Sequence, residues 1–346
     1  MCTSFTIGDK DTGVIYARTW EFTLDLETEF MVIPAGTSLT ATDKNAVVGQ
    51  GGLTWEAKYD TVGTNALKLP LLLDGVNEKG LSYGSLNFPA SAGFPEVSDA
   101  DQSKSLCTAE LGLFLLTTCA DVAEVKKALP DVIIQAVPLK QYGDVAPPLH
   151  YTIHDASGES IVVEWVKGEL NIYDNPTTVM TNEPSFPMQL SNLSQYQSIT
   201  NFPAPPIEVE GASYAAASSG EGTVGLPGGF IATSRFVRAF WYSHFAVPHK
   251  TPEEGVQTAR HIINSFDIPP GSVMTPGGTG ESGGVTGAEI TQWTDIIDLK
   301  NCVIYSSSYK HPNLVKVDVK KACAAADGVT YIPMPEADSI PELLPA

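Results

Sequence analysis

The sequence predicts an α+β layered domain, and three observations carry that reading. Short β-branched or aromatic segments bounded by Gly, Asp or Pro fill the first 90 residues. Helix-forming runs then cluster rather than alternate with single strands. Strand-like segments return before and after one further helix, so the order is strands, helices, strands, helix, strands. That order suits layers better than repeated βαβ units. No internal repeat or linker divides the 346 residues, so 1–346 is expected to be one domain.

The elements follow in chain order. Ser4–Ile7, Gly13–Ala17 and Phe30–Ile33 read as strands. Cys107–Cys119 (CTAELGLFLLTTC) is apolar and helix-forming, and Asp121 with Glu124 makes a capping box ahead of Val125–Leu129. Two helices on one side of a sheet are expected there. His150–Tyr173 reads as three strands turned at Gly158 and Gly168. Residues 201–229, rich in Pro, Gly, Ala and Ser, read as a long surface loop. Thr251, Pro252 and Glu254 start a helix expected to run to about Phe266. Residues 276–289 are glycine-rich without a GK[ST] phosphate signature and read as a loop. Trp293–Tyr305 and Leu314–Val319 read as closing strands.

Composition narrows the function. Twenty basic against forty acidic residues give a net charge of −20, which opposes nucleic acid and anionic membrane surfaces. No run of 18 apolar residues offers a membrane span. The start, MCTSFTIGDK, has neither a basic n-region nor an apolar h-region, so no signal peptide is expected in this sequence. The acidic balance suits a periplasmic location, if a signal has been trimmed, or a cytoplasmic one. Five widely spaced cysteines without a CxxC are neither a disulfide framework nor a structural zinc site. His150 and His154 would share a strand face, but two histidines without a third ligand are a weak metal signal.

Cys2 is the sharpest chemical feature. It becomes the first residue once Met1 is removed. A thiol titrates near 8.5 and an α-amine near 7.7–8.0, so nucleophile and general base would then sit in one residue. A Cys at position 2 alone favours no function. Its neighbours add to it: a strand CTSFTI, a turn GDKDTG and a second strand VIYARTWEF return Arg18 towards Cys2. A guanidinium beside a thiol favours thiolate; an isolated Arg18 is more often a rim salt-bridge residue.

Six ordered motifs carry a resemblance. They are Cys2–Thr3, YARTWEF around Arg18, DGVNEKGLSYGSLNFP (Asp74–Pro89), TNEP (Thr181–Pro184), SRFVRA (Ser234–Ala239) and TQWTDIIDLKN (Thr291–Asn301). From Cys2 to about Val319 the chain resembles the choloylglycine hydrolases, the bile salt hydrolases and penicillin V acylases among N-terminal-nucleophile hydrolases. The resemblance implies a four-layer αββα sandwich, cleavage of a small-molecule N-acyl amide, no cofactor and a homotetramer. Residue by residue, it implies Cys2 as nucleophile and Arg18 beside the thiolate. It further implies the Asn87 backbone N–H and the Asn182 side chain as oxyanion donors, and Arg235 as support for the charge network. Asn87 and Asn182, each close before a proline, also read as turn residues, and Arg235 as a buried ion-pair member. Glu21 stands where many members carry Asp, one methylene longer, and its hold on the α-amine is open.

Substrate choice is less determined. Trp20, Phe22 and Phe88 are candidate walls of an acyl pocket, with Trp55 nearby in sequence; each is also an ordinary core residue. The stretch KYDTVGTNALKLPLLLDGVNEKG is similar to the Gram-negative branch, which inclines to penicillin V and N-acyl homoserine lactones. Asn87 is shared with bile salt hydrolases. The expectation is an acylase of the penicillin V or homoserine lactone type, with conjugated bile salt hydrolysis as the rival. A catalytically inactive acyl-binding relative is the reading of another class.

Overall fold

The computed structural model describes residues 1–276 and 286–335. Two antiparallel sheets lie face to face between helical layers. The first sheet runs Cys2–Ile7, Ile15–Phe22, Ile290–Asp298, Val303–Ser308, Val315–Asp318 in spatial order. The second has eight strands: Glu169–Asp174, Ser160–Val166, Leu149–His154, Ser82–Asn87, Asp74–Asn77, Thr61–Thr64, Glu29–Ile33 and Thr330–Pro333. Helices Ala232–His244 and Pro252–Ile263 pack on the outer face of the first sheet, and Leu111–Thr118 packs on the second. This is the expected αββα sandwich.

Coverage on both faces explains the second strand. All eight residues of Ile15–Phe22 are buried, so its sequence cannot alternate apolar with polar as a half-exposed strand does. Alternation still sorts the side chains. Tyr16 and Arg18 reach residues of the second sheet, whereas Ile15 meets helix residue Gly255, where an added Cβ would lie 2.8 Å from Ile15 Cγ1. The helix therefore seats close only because position 255 has no side chain.

Several elements follow the sequence expectation. Asp121 accepts from the Glu124 N–H at 2.8 Å and opens Val122–Ala128. Thr251 accepts from the Glu254 N–H at 3.3 Å and opens Pro252–Ile263, which continues as a 3₁₀ turn to Phe266. Leu149–His154, Ser160–Val166 and Glu169–Asp174 form the meander turned at Gly158 and Gly168.

Others are corrected. The apolar 107–119 run is helical only over Leu111–Thr118, after a 3₁₀ turn at Thr108–Glu110. Trp293–Tyr305 is not one strand: the chain reverses between Asp298 and Val303, so two strands pair there. The 201–229 loop carries a small exposed hairpin, Ile207–Val209 with Ala212–Tyr214. Helices Phe186–Leu193, Ala232–His244 and Val319–Ala325 have no counterpart in the sequence expectation. The glycine-rich stretch falls mostly on residues 277–285, outside the described residues. No helix among the described residues is long and apolar enough to cross a membrane.

Candidate active site

The site forms where the N-terminal strand pair opens between the sheets. Cys2 lies opposite Trp20 and Ser4 opposite Arg18. That register sets Arg18 diagonally from Cys2 on one face, and its Nη2 lies 3.6 Å from the Cys2 sulfur. Arg18 is fully buried. Its Nη1 donates to the Leu73 carbonyl at 2.7 Å and pairs with Asp74 at 3.1 Å, and its Nη2 also donates to the Ser85 carbonyl. Tyr16 donates to the same Asp74 oxygen at 3.1 Å. The guanidinium lies over the Trp20 ring at 4.6 Å and the Trp293 ring at 5.4 Å. Gly84 leaves the corridor open: a Cβ there would lie 2.3 Å from the Tyr16 hydroxyl and 3.1 Å from Arg18 Nη1.

Burial works against the Arg18 charge, but the Cys2 sulfur and Asp74 more than offset it and raise its affinity for the proton. Burial pushes Asp74 up to about 6 despite Arg18. Asp295, opposite Arg18 in register, is pushed up to about 8 by burial and then by Asp74. Neither Asp295 oxygen has a partner at hydrogen-bond geometry, although the Ser306 and Thr64 hydroxyls temper the shift. A neutral Asp295 fits a dry layer already holding one cation and one carboxylate.

Asn182 is fixed from three directions. Residue 4 bridges to Met180 through paired backbone bonds of 2.8 and 3.0 Å, which docks the 180–182 segment on the first strand. Asn182 Oδ1 accepts from the Cys2 N–H at 2.8 Å and from Arg235 Nη2 at 2.7 Å, while Nδ2 donates to the Asn87 carbonyl at 2.9 Å. His150 and Gln189 brace the turn behind it through Thr181 and the Asn182 carbonyl. Asn87 lies opposite Leu149, but Phe88 N–H makes the cross-strand bond to Pro148. By the antiparallel alternation, the Asn87 N–H turns to the same side as its carbonyl, towards Asn182.

Arg235, fully buried on helix Ala232–His244, completes the other side. It donates to the Cys2 carbonyl, to Thr3 Oγ1 at 2.8 Å and to the Phe230 carbonyl at 2.7 Å. Burial lowers its proton affinity, and Glu21, Cys2 and Glu289 resist that. Glu21 accepts from Thr291 Oγ1 at 3.1 Å through Oε1, and its Oε2 is buried without a hydrogen-bond partner. Burial raises the Glu21 carboxyl, against the terminal ammonium and Arg235.

A narrow apolar slot adjoins this cluster. Trp20, Phe22, Asn87 and Tyr142 line it with Leu26 and Leu71. Phe88 does not: it is buried and stacked on His150 at 4.2 Å. Trp55 is bonded to Thr117 and set edge-on to Phe114. His150 and His154 do share a strand, but four steps of about 3.3 Å along it set them about 13 Å apart. His150 engages Glu164 and Thr181, and burial pulls His154 down to about 3. Among the described residues no group of three His, Cys, Asp or Glu gathers to hold a metal. All five cysteines are buried and unbridged.

Thus Cys2, Arg18, Glu21, Asn87, Asn182 and Arg235 converge. Asp74, Tyr142, Trp293 and Glu289 join them without having been singled out in the sequence. Asp74 opens one of the six motifs, and a lone charge after LPLLL was the available signal.

Comparison with known proteins gives the family. The model of the linear amide C–N hydrolases, choloylglycine hydrolase family, matches residues 2–329. The bile salt hydrolase/transferase of Clostridium perfringens is 28% identical over 93% of each chain. The penicillin V acylase of Pectobacterium atrosepticum is 27% identical over 94% of this chain and 83% of its own. Among solved structures, the R18L variant of the conjugated bile acid hydrolase of C. perfringens superposes with a TM-score of 0.83, at 25% identity over 99% of this chain and 100% of that one. The match runs over nearly the whole chain and includes every motif that builds the site, so the protein belongs to the choloylglycine hydrolase family and is a hydrolase of linear amide C–N bonds.

Proposed function

We propose that the chain is an N-terminal cysteine amidohydrolase taking an apolar acyl group, of the penicillin V or N-acyl homoserine lactone acylase type. The observation that carries it is the double engagement of Cys2: its sulfur is 3.6 Å from Arg18, and its nitrogen is 2.8 Å from Asn182 beside the apolar slot. With Met1 removed, that nitrogen is an α-amine and takes the thiol proton. Thiolate attacks the amide carbonyl, and the oxyanion accepts from the Asn87 N–H and the second hydrogen of Asn182 Nδ2. Arg18 balances the sulfur charge, and Arg235 holds Asn182 and the Cys2 carbonyl. The α-ammonium gives its proton to the leaving amine and a thioester remains. The α-amine then deprotonates water, whose attack releases the carboxylic acid and restores the thiol.

Trp20, Phe22 and Tyr142 give the slot aromatic walls that suit an apolar acyl group, and the KYDTVGTNALKLPLLLDGVNEKG stretch inclines the choice to a phenoxyacetyl or linear acyl chain. Bile salt hydrolysis is the second reading, supported by Asn87 and by the relatives' names. Assembly as a homotetramer is supported by the exposed apolar side chains of Phe202, Ile207 and Tyr214, and light scattering tests it.

The test is primary-amine release from penicillin V, a long-chain N-acyl homoserine lactone and glycocholate, with Cys2→Ala as control. Release should vanish in Cys2→Ala, and penicillin V or the lactone should lead. Wild-type release by Cys2→Ala overturns the mechanism, and a glycocholate lead favours the second reading. No release from protein confirmed to begin at Cys2 points to an inactive acyl-binding relative.

A further inference from the structure

The end of the first strand is a seat for an ammonium group. The Met1 ammonium donates to the Glu21 carbonyl at 2.6 Å and pairs with Glu289 Oε2 at 2.9 Å. Thr275 Oγ1 holds the other Glu289 oxygen at 3.0 Å. Glu289 is 6% exposed, and Glu21 is 1% exposed with one oxygen unpartnered by hydrogen bonds. Glu289 thus pairs with the terminal ammonium, the Glu21 carboxylate lies within electrostatic reach of it, and both carboxylates support the charge of Arg235.

Removing Met1 removes that ammonium and leaves the new one a single residue along the strand. Two buried carboxylates facing Arg235 alone would hold one uncompensated charge. The α-ammonium of Cys2 restores balance. We propose that Glu289 is a positioning residue for the Cys2 α-amine, sharing with Glu21 the hold on that group. It rests on the reading of Cys2 as the N-terminal nucleophile. A second carboxylate also accounts for how a site with Glu at position 21 keeps its grip on the amine, since the longer side chain has already turned one oxygen to Thr291.

The groups facing the α-amine are Glu21 from the second strand, Glu289 beside Ile290–Asp298, Arg235 from its helix, and the Cys2 sulfur with Arg18 behind it. Tyr142 is close enough that Cys2 and Glu289 both add to the burial that raises its hydroxyl. A carboxylate beside an ammonium favours the charged form, so losing one makes the amine a free base at lower pH.

The test is the pH dependence of kcat/KM for Glu289→Gln, on the fastest of penicillin V, the homoserine lactone and glycocholate, in protein confirmed by mass to begin at Cys2. The acid limb should move down by about half to one pH unit, a roughly threefold to tenfold relative gain on that limb. Glu289→Asp should return the limb most of the way. A limb that stays in place, or a uniform loss at every pH, overturns the proposal. If Glu289→Gln does not fold, Thr275→Val should shift the limb the same way by less, and no shift there overturns it equally. Activity surviving in Cys2→Ala would instead defeat the reading beneath it.

Discussion

Two buried arginines flank Cys2, and the fold treats them oppositely. Arg18 lies between the sheets among ionisable groups: the Cys2 sulfur, Asp74 and, one strand over, Asp295. Arg235 lies between the first sheet and its helices and hydrogen-bonds neutral acceptors, the Cys2 and Phe230 carbonyls, Thr3 Oγ1 and Asn182 Oδ1, with Glu21 and Glu289 near but not bonded to it. Burial is nearly complete for both, yet proton affinity rises at Arg18 and falls at Arg235. Arg18 therefore acts by charge, and Arg235 by the geometry of its planar fork. Breaking each should show a different signature.

The largest effect is expected from Arg18→Met. It strands Asp74 as a buried carboxylate, a loss of roughly 3–5 kcal/mol in stability. Asp74 already holds its proton to about pH 6 and would hold it higher without Arg18. The loss should therefore be smaller at pH 5 than at pH 8, and thermal melts at the two values read it. Equal losses would mean that Asp74 is not the stranded partner.

Arg235→Lys should break the comparison the other way. The charge survives but the fork does not, so Asn182 loses one anchor. Turnover should fall by about 10² to 10³, the cost of one oxyanion donor, and the melting temperature should fall too, because buried acceptors go unpaired, but by less than in Arg18→Met. A stability loss as large as that of Arg18→Met would show that Arg235 also works by charge.

How much of this was legible differs between the two sides. Arg18 was readable because hairpin arithmetic returns it to Cys2 without distant information. Trp20 and Phe22 share the parity of Arg18 and so reach the slot. Phe88 follows Asn87 by one residue, so its side chain falls on the opposite face, against His150. The resemblance carried Asn182 and Arg235, but not the 4–180 bridge that docks them. Asp295 meets Arg18 only through pairing of strands more than 270 residues apart, which no local pattern encodes. Helix Ala232–His244 was hidden because its arginines face inward, where a periodicity reading places apolar residues.

Asp295→Asn sharpens the ionic side without touching the sulfur. The folded-state pKa of Asp295, pushed up to about 8, stands above its value of about 4 in the unfolded chain. Between those values the folded state holds a proton that the unfolded state has released. Stability from this group is therefore present below about pH 4 and lost as pH rises towards 8. Asp295→Asn mimics the neutral acid at every pH. Its melting temperature should fall less than wild type between pH 5 and 8, and matching slopes would mean that Asp295 is already ionised.

The smallest expected effect tests the neutral side. Thr3 Oγ1 accepts from Arg235 Nη1, which also donates to the Cys2 carbonyl. Thr3→Val keeps the shape and removes one acceptor of four. A lost hydrogen bond of this kind costs about 1–3 kcal/mol when the donor stays buried and charged. The remaining acceptors still fix the guanidinium plane, so Asn182 should keep its orientation. Turnover should drop less than tenfold while stability falls measurably, whereas Arg235→Lys loses far more turnover. If turnover instead falls as far as in Arg235→Lys, the fork is set by Thr3 alone, and the other three acceptors only follow it.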